Sequence, residues 1–354
     1  MTPLSDAPRH ASPLQVRYKP GVGTPSGGAY GRVPVVVYGR LPCALLICEM
    51  KGPSALALEE DGTELFRDVD HRGRYIDTDF ETGNCIVGAA GYRTLRWLDR
   101  AGTVLHTWSL PVAILGEIYG IRACGSRLFV NTTQPSANNY CEMWVFDLDP
   151  TTGFPISAGT RFTAYEGVRH YARSMKLVNG VLWIASMVLP LNPQGCQGSI
   201  RGYDYATGNL LHEFYGQFPN DVDVLPNGDV VWVDEHLDRA RIAKPSTGAV
   251  RTLFAGSETR ALYEPGVESV SANDTRQTTE DGTGLSATAV EYCDLPALYA
   301  PNGISAITPT LYAVADTDNS RVIIVRLTDT WKPEVVAVVA ILNEPTKVRI
   351  IPPV

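Results

Sequence analysis

The chain has 354 residues, is 44% hydrophobic and carries a net charge of −8, so it can bury a large core and has no general electrostatic attraction for nucleic acid or anionic lipid. Its 32 glycines and 25 prolines favour many turns and short strands over long helices. The longest apolar runs, Val33–Val37 and Ala44–Cys48, are too short to cross a bilayer, so no membrane partner is expected.

Residues 1–33 come first and read as an extended Pro/Gly-rich arm with nothing to pack on its own. Residues 1–40 hold Arg9, Arg17, Lys19, Arg32 and Arg40 against Asp6, so a basic start precedes an acidic body. The first ten residues, MTPLSDAPRH, lack the apolar stretch of a secretory signal, and synthesis in the cytoplasm is expected.

From residue 34 onward an internal repeat organises the chain. One hairpin recurs, an apolar strand, a turn built from Asp, Thr and Gly, and a second strand: 56–69, 95–108, 144–157, 201–214, 240–254 and 322–338. Ahead of it sits another pair of short strands joined by turns such as Asn-Gly, clearest at 119–132, 173–186, 221–234 and 302–315. Four strands per unit at this spacing predict an all-β chain, a six-bladed β-propeller whose blades fall near 34–68, 74–110, 116–164, 170–216, 219–254 and 300–340. A seventh blade would need more strands from a terminus. On this reading Pro34–Tyr38 is the innermost strand of the first blade. Either Lys347–Ile351 or Val33–Val37 closes the ring by pairing the two chain ends. Residues 255–299 form a polar, acidic insertion between the fifth and sixth blades.

Seven scattered cysteines, 43, 48, 85, 124, 141, 196 and 293, make no C-x-x-C pair, and several fall in apolar strands. They read as reduced core residues.

The stretch VRTLFAGSE, then EDGTGLSATAV, then LYAPNGISAITPTLYAVADTDNSRVIIV resembles the NHL-repeat propellers, over residues 219–326. The resemblance implies a six-bladed ring in which Asp316, Asn319 and Arg321 tie the turn of one blade. NHL propellers are mostly platforms for protein partners and in some cases RNA, and the acidic balance here disfavours RNA.

The same motifs are similar to those of the gluconolactonase and regucalcin-type lactonases, six-bladed propellers that hold a divalent cation in the central channel. That resemblance implies Pro219-Asn220-Asp221 and Pro301-Asn302-Gly303 at the starts of innermost strands. It makes Asn220, Asn302 and Asp316 the ligands of Ca²⁺ or Mg²⁺. Innermost strands begin at one channel mouth, so Glu117, His170, Asn220, Asp221 and Asn302 would converge there, around a cation able to polarise a lactone carbonyl. The sequence departs from the lactonases at Pro34–Tyr38, which offers no carboxylate where they carry an essential Glu. Turn chemistry alone also accounts for these asparagines, because Asn and Asp bond their own turns and tolerate left-handed backbone.

Other chemistry is weaker. No two histidines have metal-binding spacing, and His106 and His212 occupy matching positions of an outer strand. Asp234-Glu235-His236 reads as a solvated loop after a strand. With no nucleophile or phosphate motif, no catalytic residue and no cofactor are expected. Two readings follow. One is a non-catalytic propeller in an oligomeric assembly such as a virion head or tail, meeting protein partners through the arm and one propeller face. The other is a lactonase-type hydrolase using Ca²⁺ or Mg²⁺ in the channel mouth.

Overall fold

The computed structural model describes residues 35–49, 55–68, 73–89, 93–133, 141–165, 170–188, 198–216, 218–235, 238–255, 298, 300–328, 333–340 and 344–353, together with the two-residue strand Leu14–Gln15. The rest of the arm 1–33, and the insertion 255–299 apart from Ala255 and Leu298, lie outside the described residues.

Six antiparallel sheets account for the described strands. Blades two to five are continuous in sequence, each with four strands. Their innermost strands are Gly73–Thr78, Glu117–Cys124, His170–Val178 and Pro219–Val224. Blade six starts with Pro301–Thr308 and ends with Pro333–Ala340. Blade one is assembled from both chain ends: Leu45–Glu49, Ala55–Leu58 and Glu64–Asp68 are its outer three strands, and Pro345–Ile350 is its innermost. The chain is a six-bladed β-propeller.

Each blade is narrow and apolar on both faces, so it is stable only between two neighbours. Six buried apolar clusters among the described residues correspond to the six interfaces. In Leu311–Asp316, Ala313 and Ala315 pack against Leu45, Ile47 and Leu56 of blade one. The alternate residues Tyr312 and Val314 pack against Val231 and Val233 of blade five. The period of two in the strand thus becomes two blade contacts. At ~1.5–3 kcal/mol per fully buried large aliphatic side chain, these clusters are the main source of cohesion.

Blade one is built differently from the arrangement expected from sequence. Val36–Tyr38 is not its innermost strand. It pairs with Pro333–Ala340 as a fifth strand on the outer edge of blade six, and Leu14–Gln15 pairs with it in turn. Both proposed closures therefore exist, one at the axis and one at the rim. A ring sealed at both ends of the chain leaves blades one and six with no unsealed junction.

The turns follow their Asp residues. Asp99, Asp149 and Asp204 each accept a backbone N–H two or three residues on, from Ala101, Thr151 and Thr207, at 2.9, 2.9 and 2.7 Å. Cys48, Cys85 and Cys141 are buried and free, and Cys43 and Cys124 are free and half-buried. Burial pushes the Cys48 and Cys85 thiols up to about 12, which makes them inert. Cys196 and Cys293 lie outside the described residues.

Candidate functional site in the central channel

All six innermost strands carry a β-bulge near their start, and it sets the geometry of the channel. The pairing with the second strand skips one residue in each blade: Arg74, Tyr119, Arg173, Asn220, Asn302 and Thr346. Such a bulge twists the strand and re-aims the side chains after it. Three of these strands begin with the same local sequence, a residue in left-handed backbone followed by Pro: Phe218 (φ 63°), Ala300 (φ 48°) and Glu344 (φ 54°). That backbone is uncommon for residues with side chains. The left-handed residue thus precedes the proline in Phe218-Pro219-Asn220 and Ala300-Pro301-Asn302, and the asparagines themselves are in the strands.

Counting on from the bulge gives two layers across the channel. The first position contributes Tyr75, Gly120, Ser174, Asp221, Gly303 and Lys347. Two residues further, on the same side of each strand, stand Asp77, Arg122, Lys176, Asp223, Ser305 and Arg349.

The charged members form one buried network. Arg349 grips Asp221 with two bonds, Nη1 to Oδ2 at 2.8 Å and Nη2 to Oδ1 at 3.0 Å. Its Nε is 3.3 Å from Asp77 Oδ1. Arg122 lies 3.8 Å from Asp77 and 3.0 Å from Asp223, and Lys176 Nζ lies 3.4 Å from the same Asp223 oxygen. Burial pushes the Asp221 carboxyl up, but Arg349 and Lys347 outweigh that and hold it below the usual carboxylate range. For Asp223, burial acts the same way and is outweighed by Lys176 and Arg122.

The carboxylates also serve the free edges of the inner strands. Asp221 and Asp223 accept the N–H groups of Ile304 and Ala306 in the next blade, both at 3.0 Å. Asp77 accepts from Ala123 in the same manner. Ser305 donates to Val348 at 3.0 Å and Thr78 to Ile350 at 2.8 Å. Side chains here do the work that a further strand would do in an open sheet.

At the mouth where the inner strands begin, a small cavity of about 90 Å³ is lined by Tyr75, Arg173, Asn220, Glu235, Asn302, Thr346 and Lys347. Asn220 and Asn302 are therefore brought together, as expected for strand starts. Their side-chain amides bond to the Glu235 carboxylate and to the Ala300 carbonyl respectively. Their backbone carbonyls accept from a single donor, Lys347 Nζ, at 2.6 and 3.1 Å. The same ammonium is 3.5 Å from Asp221. Burial lowers the Lys347 pKa to about 8, opposed by Asp221 and reinforced by Arg349 and Arg173.

Asp316 does not line this cavity. Its Oδ2 accepts from Asn319 Nδ2 at 2.9 Å and from Arg321 Nε at 2.7 Å, closing the turn of blade six. Blade five repeats the device at the same spacing, with Arg239 Nε on Asp234 at 2.9 Å. Asp221 lies one layer below the cavity, in the ion-pair network. Glu117 is exposed and outside the cavity lining. The His170 side chain lies outside the described residues, as does His236. His106 stacks on Phe154 and His212 on Trp183, which fits a shared outer-strand position.

As a cation site, the fit turns on Lys347. Its ammonium takes the two backbone carbonyls and the Asp221 edge, and a divalent ion there would have to displace it. Among the described residues no group of three or more His, Cys, Asp or Glu side chains converges as a metal site. The sequence reading missed Lys347, although Pro345-Thr346-Lys347 stands in register with Pro219-Asn220-Asp221 and Pro301-Asn302-Gly303.

No family model matches the sequence, and no curated protein matches it. Among solved structures, the chain resembles one from a nidogen/laminin complex at 12% identity, over 87% of this chain and 98% of that one, with a TM-score of 0.57. It resembles a protein of unknown function from Bacteroides caccae at 11% identity, over 88% and 99%, with a TM-score of 0.56. A putative 6-phosphogluconolactonase from Bacteroides uniformis aligns at 13% identity, over 86% and 98%, with a TM-score of 0.53. What these neighbours share with the chain is the propeller fold. Such folds host unrelated functions, so the site decides the rest.

Proposed function

We propose that this chain is a non-catalytic β-propeller acting as an interaction or structural subunit of a larger protein assembly. The carrying observation is the channel itself. Its interior is crossed by ion pairs among Asp77, Arg122, Asp221, Asp223 and Arg349, and the mouth that would hold a catalytic cation presents the ammonium of Lys347 instead. The basic Pro/Gly-rich arm ahead of an acidic body supports contact with protein partners through that arm and one propeller face, with neither nucleic acid nor membrane as partner. The finer form, a virion head or tail component made in the cytoplasm, rests on that arm alone. Deleting residues 1–33 tests the reading. The truncated chain should keep its near-UV circular dichroism and fail to co-purify with the complex formed by the full chain in its native source. Normal assembly without the arm would overturn it.

A second reading, a Ca²⁺- or Mg²⁺-dependent lactonase with Asn220 and Asn302 as ligands, draws on the shared cavity of Asn220, Asn302 and Glu235. Crystals soaked in Ca²⁺ or Mn²⁺ discriminate. Ion density at the two asparagines would favour the hydrolase, and an unchanged Lys347 contact favours the interaction subunit.

A further inference from the structure

The opposite mouth of the channel holds a larger cavity, about 290 Å³, which neither functional reading uses. Its inner end is formed by Arg122, Lys176, Asp223 and Arg349 of the second layer. Its flanks are largely apolar, with Val224, Leu225, Pro226, Ile307 and Ile350, and Phe80 stands at the rim, 55% exposed.

The charge at the inner end is unbalanced. The second layer contains two carboxylates and three cations. Adding Asp221 and Lys347 from the layer above brings the network to three carboxylates and four cations. Glu235 and Arg173 at the far mouth contribute one charge of each sign, so among these described residues cations outnumber carboxylates by one. The surplus is concentrated where Arg122 and Lys176 stand side by side on neighbouring inner strands and share a single Asp223 oxygen. The Arg122 side chain is 3% exposed, and its Nη1 has no hydrogen-bond partner. A buried guanidinium N–H without an acceptor is costly and rare. Lys176 Nζ sits 5.8 Å from the Phe80 ring, with its side chain 21% exposed, so it borders the cavity and not the closed interior. Together these features describe a cationic floor beneath apolar walls.

We infer that this mouth is a binding site for a small monocarboxylate with a compact apolar body. The carboxylate would accept from Arg122 and Lys176, neutralising the surplus charge, and the apolar body would lie against Leu225, Ile307 and Phe80. At the ~30 Å³ that one water occupies in the liquid, the cavity has room for roughly ten non-hydrogen atoms. A monoanion fits the charge surplus, and a planar carboxylate suits the guanidinium better than a spherical ion does.

The test is calorimetric titration of the full chain at fixed ionic strength with sodium benzoate, with benzamide as the neutral isostere and inorganic phosphate as the compact anion. Benzoate should bind saturably, benzamide should not, and phosphate should bind more weakly than benzoate. Lys176→Met should weaken benzoate about tenfold, as expected for one charge-assisted hydrogen bond. Phe80 stands at the rim, 5.8 Å from Lys176 Nζ, and Phe80→Ala should weaken benzoate more than it weakens phosphate. Equal binding of benzoate and benzamide, no saturable benzoate binding, or a Phe80→Ala variant with wild-type benzoate affinity would overturn the assignment. So would phosphate binding more tightly than benzoate. The Phe80 variant keeps the test decisive if Lys176→Met does not fold.

Discussion

Replacing Arg349 by Met tests whether the channel network holds the ring together. Met has similar length and no charge, so the change removes the bidentate bond to Asp221, the 3.3 Å approach to Asp77 and the bond to the Ile304 carbonyl with little loss of volume. Asp221 keeps Lys347 at 3.5 Å, and Asp77 keeps Arg122 only at 3.8 Å. Breaking a buried pair by deleting one partner costs about 3–5 kcal/mol, because the remaining charge stays buried. Unfolding entropies near 2.1 cal/mol/K per residue give about 0.7 kcal/mol/K for a chain of 354 residues, so Tm should fall by about 4–7 °C. The pH dependence carries a sign. In the wild type the Asp221 carboxyl is held below its unfolded value near ~3.9, so its contribution is present above that value and is lost as pH falls through the folded one. In the variant the burial penalty dominates, the folded pKa rises above the unfolded one, and acidification favours folding through this group. The gap between wild type and variant in urea midpoint should therefore narrow from pH 7 to pH 4. Urea is the denaturant of choice because guanidinium would screen the charges. Adding Asp221→Asn to Arg349→Met should recover at least half of the loss, since the unpaired charge is gone. A variant as stable as wild type at pH 7, or a gap that widens in acid, would refute the reasoning.

Lys347→Ala should lower stability by about 1–3 kcal/mol, because two buried carbonyls lose their donor while Asp221 keeps Arg349. Calcium at millimolar concentration should raise the variant's Tm no more than the wild type's if the position belongs to an ammonium, and a selective rescue would show that it can host a divalent cation. Gly303→Ala would put a Cβ 2.9 Å from both Lys347 Cα and the Thr346 carbonyl oxygen, so it should wedge blades six and one apart at a cost of about 1–3 kcal/mol, read as a Tm loss of about 1–4 °C. Removing residues 345–354 strips blade one of its innermost strand and the channel of Lys347 and Arg349. The product should bind a hydrophobic dye and lose its near-UV dichroism, whereas a monomer with native dichroism would show that closure at the axis is dispensable.

The blades were legible because their information is local. An Asp that bonds the N–H two or three residues ahead fixes a hairpin within one short window, and the window recurs. Ring closure was not legible in the same way. Val33–Val37 and Lys347–Ile351 are both short strand-like runs, and choosing between the axis and the rim depends on contacts some three hundred residues apart. Asp316 carried two expectations. The NHL resemblance ties it to Asn319 and Arg321 in its own turn, and both bonds are present; the lactonase resemblance makes it a cation ligand, but a carboxylate held by its own turn lies away from the cavity of Asn220 and Asn302. Asn220 and Asn302 were placed correctly because the proline before each fixes the strand start.

The missing signal was the register. Once Thr346 is aligned with Asn220 and Asn302, the next residue in each strand is Lys347, Asp221 or Gly303, and the three side chains occupy one layer of one channel. Glycine there is required by space, since the Lys347 backbone passes where a Cβ would stand. The aspartate is required by charge, since it faces both Lys347 and Arg349. A single position thus explains why Pro-Asn-Asp and Pro-Asn-Gly differ by one residue here without reference to a metal. The lysine supplies the positive charge that a bound cation would otherwise provide, and it is covalently part of the ring. Its ammonium holds carbonyls of blades five and six from a strand of blade one, so the chain's last strand closes the propeller with charge as well as with a backbone ladder.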